Sequence, residues 1–215
     1  VRSCRAEIGI VAHVDRLTEA AQLADDVDAM ALMVDDGTLG CEGNHVRTWR
    51  RLANAATPWV AVLEDDAQPV RDFGAQLDGV LAHAPTPIVS LYLGRSRPPI
   101  FQPWIRRQVA NADAADACYI IGRRLLHCVG LAIRTPLITD MVATVRTMVG
   151  VPIDEAIHAW AEGNGHDMAY CWPSIVDHHD GPTLVAHRDG QPRTEPRVAW
   201  CCGSRNPWHD RVLEA

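Results

Sequence analysis

Apolar residues recur along this chain in two rhythms. Short unbroken runs mark strands buried on both faces, and stretches with an apolar residue every third or fourth position mark helices packed on one side. Glu7 to His13 reads as a first strand. Leu17 to Asp26 reads as a helix, with Leu17, Ala20, Ala21, Leu23 and Ala24 in register, and Met30 to Val34 as a second strand. The turn signal Asp35-Asp36-Gly37 ends it. This β-α-β opening predicts a parallel sheet. A helix is expected from about Val46 to Ala56, with Asn44 as its N-cap and Trp49, Leu52, Ala53 and Ala56 as its apolar stripe. Pro58 then introduces Trp59-Val60-Ala61-Val62-Leu63, which passes directly into Glu64-Asp65-Asp66.

After the acids the pattern predicts a helix from Val70 to Ala84, closed by Pro85 and Pro87, and a strand from Ile88 to Gly94. Arg95 to Arg107 mixes arginine, proline and aromatic residues and reads as a long loop, a candidate acceptor platform or lid, or a solvated surface loop. Ala117–Gly122 and Cys128–Ile133 read as two strands, possible partners in a hairpin. Thr135-Pro136 starts a helix running to about Val149, and Glu155 to Glu162 forms another. Ala169 to Trp172 is strand-like and leads into Pro173–Pro182, which is dense with Asp and His. The expected architecture is α/β: one domain over residues 1–215, with a mostly parallel central sheet flanked by helices.

Composition narrows the picture. The 215 residues suit one domain with a real core. The net charge of -7 argues against a broad basic face for nucleic acid, although a local patch is compatible with it. All 20 basic residues are arginine, which GC-rich coding explains without invoking function. The seven cysteines show no CxxC and no zinc-type Cys/His spacing, so they read as reduced core thiols in a cytosol. No apolar run approaches the roughly 18 residues of a membrane span. No signal peptide precedes the first strand, so the expected location is cytoplasmic.

The chemistry concentrates at Glu64-Asp65-Asp66. Three acids at the C-terminal end of a buried strand sit where α/β sheets bind ligands. With no basic neighbour in sequence, their mutual repulsion points to a hard divalent cation with oxygen ligands; the plain alternative is a solvated acidic turn. Asp35 is a candidate for ribose or base recognition, or simply a turn residue. Gly40 and Gly43 permit close backbone approach. His45, near the expected helix start, either points at a phosphate or caps the helix.

The order of motifs resembles a known family. Gly40-Cys41-x-x-Asn44-His45-x-x-x-Trp49, followed by Val62-Leu63-Glu64-Asp65-Asp66-Ala67, resembles the LPS-type and collagen-type glycosyltransferases of family 25, with Asn44 where serine is usual. Leu126-His127 with Gly130–Ile133, then Pro152-Ile153-Asp154, then Pro173-Ser174-Ile175-Val176, are similar to later family motifs and fall in the same order. The similarity spans residues 38–180. Small size, missing lysine and Ser90-Leu91-Tyr92-Leu93-Gly94 look more like compact glycosyltransferases of actinobacterial phages.

This resemblance implies a GT-A fold, a nucleotide-sugar donor (a UDP-sugar for preference) and Mn²⁺ or Mg²⁺. It implies a nucleotide-sugar and metal half at 1–94 and an acceptor half at 95–215. Asp66 would be the first metal ligand, Asp65 a second ligand or ribose contact, and Glu64 would stand behind them. A late histidine would complete the metal site, with His178 preferred over His179 and His187. Ala12, His13, Arg16, Asp35, His45, Glu64 and Asp65 would line the donor. Asp154 would be the general base, with Glu155 in reserve, although Asp at a helix start is also a common cap.

Arg95, Arg97, Trp104 and Arg106 would meet the acceptor. A hydroxymethylated pyrimidine in DNA is the preferred acceptor, because these arginines, with Arg107, Arg123 and Arg124, would supply local positive charge. A virion protein or glycan is the alternative. Two other classes use the same residues: a metal-dependent nucleotidyltransferase or phosphohydrolase, and a non-catalytic nucleotide-sugar-binding module.

Overall fold

The structure, a computed structural model, describes residues 5–181 and 195–214. The chain opens with β1 (Ala6–His13), a 3-10 turn, α1 (Leu17–Asp26) and β2 (Ala31–Asp35). It continues through α2 (Gly40–Leu52), β3 (Trp59–Glu64), β4 (Ala67–Pro69), α3 (Phe73–Ala82) and β5 (Ile88–Ser90). A second 3-10 turn leads into α4 (Gln102–Ala114), β6 (Tyr119–Gly122) and β7 (Gly130–Arg134). A third precedes α5 (Ile138–Val145), α6 (Ile153–Gly163), β8 (Met168–Cys171), β9 (Val176–His178) and β10 (Val212–Glu214).

Eight of these strands form one mixed sheet in the order β10-β6-β8-β5-β7-β3-β1-β2. β1 pairs in parallel with both β2 and β3, as the β-α-β opening requires. β7 runs antiparallel between β3 and β5. The β5–β8 and β6–β10 pairs are parallel, and β6–β8 is antiparallel. Helices cover the sheet, so the architecture is α/β and Rossmann-like. Because β7 and β8 interleave with strands from the first 94 residues, both halves of the chain share one sheet.

The alternation along β3 explains the two layers. Trp59, Ala61 and Leu63 pack toward α1 and α3, with Leu23, Phe73, Leu77 and Leu81. Val60 and Val62 face the other way, toward Trp49 and Leu52 of α2, Ile138 and Met141 of α5, and Trp160 of α6. A strand buried on both faces reads as a continuous apolar run for this reason. Gly9 of β1 lets α2 come close: a Cβ there would lie 2.6 Å from Leu52 Cδ1 and 2.9 Å from Thr48 Cγ2. A smaller core seats α4 through Ile105, Val109 and Ala112 against Ile120, Tyr170 and Trp172.

Several boundaries differ from the sequence reading. α2 begins at Gly40, not Val46, and Asn44 is no N-cap. It lies buried inside the helix, where its Nδ2 donates to the carbonyls of Ala12 at 3.0 Å and Met33 at 2.8 Å, tying α2 to β1 and β2. The expected loop at Arg95–Arg107 is largely ordered as Pro99–Phe101 and α4. Pro99 and Pro103 stand in first turns, where a missing N–H costs nothing, so they start these elements rather than break them.

β6 and β7 do not form a hairpin with each other; β8, β5 and β7 lie in order beside β6. The strand expected to reach Gly94 stops at Ser90. Beyond it, the Leu91 carbonyl accepts from Ile175 and Val176, and Gly94 bridges Ala199. The α3 and α5 helices are each shorter than expected. Thr135 does not cap α5; its hydroxyl donates to the Thr57 carbonyl at 2.7 Å. The cysteines at 41, 118, 128, 171, 201 and 202 are all free thiols. Among the described residues, no helix is long and apolar enough to cross a membrane.

Candidate active site at the end of β3

β1, β2 and β3 are parallel and finish at the same sheet edge, where His13 pairs in register with Asp35 and Val11 with Glu64. The acids of the β3 end therefore emerge beside the β1 end. Asp65 accepts from the His13 backbone N–H at 2.8 Å and from Arg16 at 2.8 Å. The same Arg16 nitrogen lies 2.5 Å from Asp66 Oδ2. The basic neighbour missing from the local sequence is thus supplied from the turn before α1, and Arg16 balances part of the acidic charge that repulsion alone assigned to a cation. Burial works against the Arg16 charge, but Asp65 and Asp66 outweigh it and raise its pKa.

The small second sheet organises the other side. β4 pairs antiparallel with β9, setting Ala67 opposite His178. This pairing brings His178 Nε2 to 3.4 Å from Asp66 Oδ2, while the Asp66 carbonyl accepts from the His179 N–H at 2.8 Å. Of the two late histidines that are described, His178 is the one whose ring lies at Asp66. His179 is exposed with Nδ1 3.3 Å from Gln68 Nε2, and His187 lies outside the described residues. Asp66 Oδ1 and His178 Nδ1 are both buried with no hydrogen-bond partner. Burial first, then repulsion from Glu64, raises the Asp66 pKa against the opposing pull of His178 and Arg16. A buried carboxylate oxygen without a donor is costly, and such an atom calls for a ligand.

Glu64 belongs to the opposite face of the turn. His45 Nε2 lies 3.2 Å from its Oε1. His45 is wholly buried in the second turn of α2, so it holds Glu64 in place instead of facing open space. Burial pushes the Glu64 pKa up, but the His45 hydrogen bond and the electrostatic pull of the neighbouring imidazoles outweigh it and keep it lowered. Asp154 stands in the first turn of α6, one residue past Ile153. Burial, reinforced by the negative charge of Glu64, raises its pKa to about 6 against a hydrogen bond from the Glu155 N–H. That is a suitable value for a base working near neutral pH.

Other donor-side candidates have local duties. The Asp35 carboxylate accepts from the N–H groups of Gly37, Leu39 and Gly40, each at 3.0 Å. It closes the β2–α2 turn, and these bonds outweigh burial to keep its pKa low. The Ala12 carbonyl is occupied by Asn44, and the His13 ring accepts from the Asp15 N–H at 3.2 Å.

On the acceptor side, two of the arginines lie over aromatic rings. The Arg106 guanidinium lies 5.7 Å from the Trp200 ring centroid, and that of Arg124 5.2 Å from Phe101. Gln102 donates to the carbonyls of Gly94 and Arg97 and accepts from Trp200 Nε1. Trp104 is half-buried against the α4 core, and Arg95 is exposed. A groove of about 280 Å³ opens between α2 and α5, lined by Val46, Arg50 and Val142 among others; none of its residues belongs to the acidic site.

Three residues near the site carried no role in the sequence. His127 is held neutral, its pKa lowered to about 4 by burial, and its ring meets Tyr92 edge-on at 5.1 Å. Tyr92 also lies 6.1 Å from the His178 ring. Gly94 leaves room for this pair, since a Cβ there would sit 2.6 Å from the Tyr92 hydroxyl and 2.8 Å from His127 Nε2. Arg197 keeps Nε and Nη2 buried with no hydrogen-bond partner, and its charge acts on Tyr92. For His127 the only sequence signal was its place in the Leu126-His127 motif; for Arg197 there was none. No protein-family model matches the chain, and no curated protein is significantly similar to it.

Proposed function

We propose that this protein is a metal-dependent glycosyltransferase of GT-A architecture, which moves a sugar from a nucleotide-sugar, a UDP-sugar for preference, to a hydroxyl acceptor. The observation that carries the reading is Asp66, a strand-end carboxylate with His178 beside it and one buried oxygen unpartnered. Oxygen donors with one imidazole suit a hard ion such as Mn²⁺ or Mg²⁺, and Asp66, Asp65 and His178 would hold it. When bound, the ion supplies charge neutralisation for the departing diphosphate.

The chain's own groups complete the chemistry. Arg197 offers a buried guanidinium for a phosphate oxygen, and guanidinium–phosphate pairing is strong and directional. Asp154 takes the proton of the acceptor hydroxyl as the new bond from that oxygen to the anomeric carbon forms and the bond from that carbon to the diphosphate breaks. The DNA acceptor drew on a basic, aromatic loop. With Arg106 and Arg124 stacked in and around α4, the geometry supports a hydroxyl acceptor without favouring DNA over protein or glycan.

Thermal denaturation with UDP- and GDP-sugars, with and without Mn²⁺, tests the reading. One donor should stabilise the protein only when the ion is present, by about 2.7 kcal/mol at a hundredfold excess over its Kd. Asp66→Asn should abolish that shift and slow transfer about 100- to 1,000-fold. Offering hydroxymethylcytosine duplex, peptide and oligosaccharide acceptors then assigns the acceptor class. Pyrophosphate or phosphate release with no acceptor glycosylated would replace this reading with a nucleotidyltransferase or phosphohydrolase. A donor shift without turnover would indicate a binding module.

A further inference from the structure

α2 and β3 bring together a second set of ligand-type side chains, separate from the Asp66–His178 pair. The Cys41 sulfur, a His45 ring nitrogen and a Glu64 carboxylate oxygen all lie within 4.8 Å of one another. Cys41 and His45 stand four residues apart on α2 and so share a helix face. Glu64 meets them from the end of β3. His45 is only 1% exposed, and its Nδ1 is buried without a hydrogen-bond partner while Nε2 faces Glu64. His45 Nε2 is the nitrogen already turned to Glu64, so a shared ion would take that nitrogen and the carboxylate together.

We infer that Cys41, His45 and Glu64 form a binding site for a thiophilic divalent ion, with Zn²⁺ the best chemical fit. A thiolate and an imidazole favour zinc over the hard ions suited to Asp66, which has no sulfur in its donor set. The thiolate and the Glu64 carboxylate together balance the two positive charges of the ion, and the thiol proton passes to solvent on binding. Three protein ligands leave a fourth tetrahedral position for water. Cys41 is half-buried, so the site keeps a route to solvent. Binding would replace the His45–Glu64 hydrogen bond with two bonds to the ion, fixing α2 to the end of β3. The inference does not depend on the glycosyltransferase reading.

The test is a Co²⁺ titration of the reduced, chelator-treated full chain, followed through the thiolate-to-cobalt charge-transfer band and reversed by Zn²⁺. One equivalent of Co²⁺ should develop the band. Cys41→Ser should abolish it, and His45→Gln and Glu64→Gln should each weaken binding at least about tenfold, the usual range for a lost ligand or its support. The band should survive Asp66→Asn, which removes the donor-plus-Mn²⁺ thermal shift, so the two readings can fail separately. A band that persists in Cys41→Ser, or that disappears only when Cys201 and Cys202 are both replaced by serine, overturns the inference. Wild-type protein gives a check that needs no variant. Zn²⁺ should slow iodoacetamide labelling of Cys41, read by peptide mass spectrometry, at least tenfold; an unchanged labelling rate overturns it.

Discussion

The acidic turn at Glu64–Asp66 and the basic segment at Arg95–Arg107 are both dense in charge, but the fold treats them in opposite ways. The acids are gathered by partners from four other elements, and after Arg16, His13, His45 and His178 are counted, Asp66 Oδ1 is left over. In the basic segment Arg106 lies over the Trp200 ring, Arg124 stacks on Phe101 from outside the segment, and Gln102 occupies two carbonyls of the turn. A run of like charges becomes a candidate site only when bonding capacity remains after folding. By that measure the turn qualifies, whereas in the basic helix Arg106 is already engaged by Trp200.

Three measurements break or sharpen this contrast, taken from the largest expected effect. Arg16→Gln removes the one cation among the described residues that touches both Asp65 and Asp66, leaving two largely buried carboxylates less compensated. The variant should unfold about 2–3 kcal/mol more easily, a value reduced from that of a fully buried pair because Arg16 is partly exposed. Mn²⁺ should restore more stability to the variant than it adds to wild type, as read in urea melts. Equal gains would mean that the acids do not hold the ion.

Asp154→Asn comes next. The folded pKa, about 6, lies above the ordinary value of 3.8, so between these pH values the folded state keeps a proton that the unfolded state releases. The contribution of Asp154 to stability is therefore fully present below about 3.8, is lost as pH rises through about 6, and then levels off. The asparagine variant should escape that loss and be about 1–2 kcal/mol more stable than wild type at pH 8, by the usual conversion of 1.36 kcal/mol per unit, discounted for partial exposure. It should also lose transfer activity. In wild type, kcat/KM should drop as pH falls below about 6, because the base must be ionised. A stabilised variant with full activity and an unchanged pH profile would remove Asp154 from the chemistry.

The smallest effect is expected for Arg106→Gln. Loss of one exposed cation–π contact with Trp200 should cost less than about 1 kcal/mol. Transfer should change less than about threefold. A tenfold rise in acceptor KM with stability intact would return this helix to the acceptor site and overturn the contrast.

Much of the donor half was legible because it is local. The β1–α1–β2 unit follows its apolar rhythm to within a residue, and β3 is the apolar run that ends on acids. Asn44 misled because an Asn near a helix start normally caps it, whereas here its amide finds two carbonyls across α2, β1 and β2. The prolines at 99 and 103 misled because a proline's meaning depends on whether it breaks a helix or begins one. The supposed hairpin failed because nearness in sequence is a weak guide once strands cross over.

By itself, the sequence determined the α/β class and the acids at a buried strand end, since these rest on residues adjacent in the chain. The tertiary structure alone decided which groups meet those acids. Arg16 arrives from 50 residues before Asp66, and His178 comes from a strand paired with β4. Hydrogen bonding and burial act through space, so the spare oxygen of Asp66 and the meeting of Cys41, His45 and Glu64 exist only after the chain has folded.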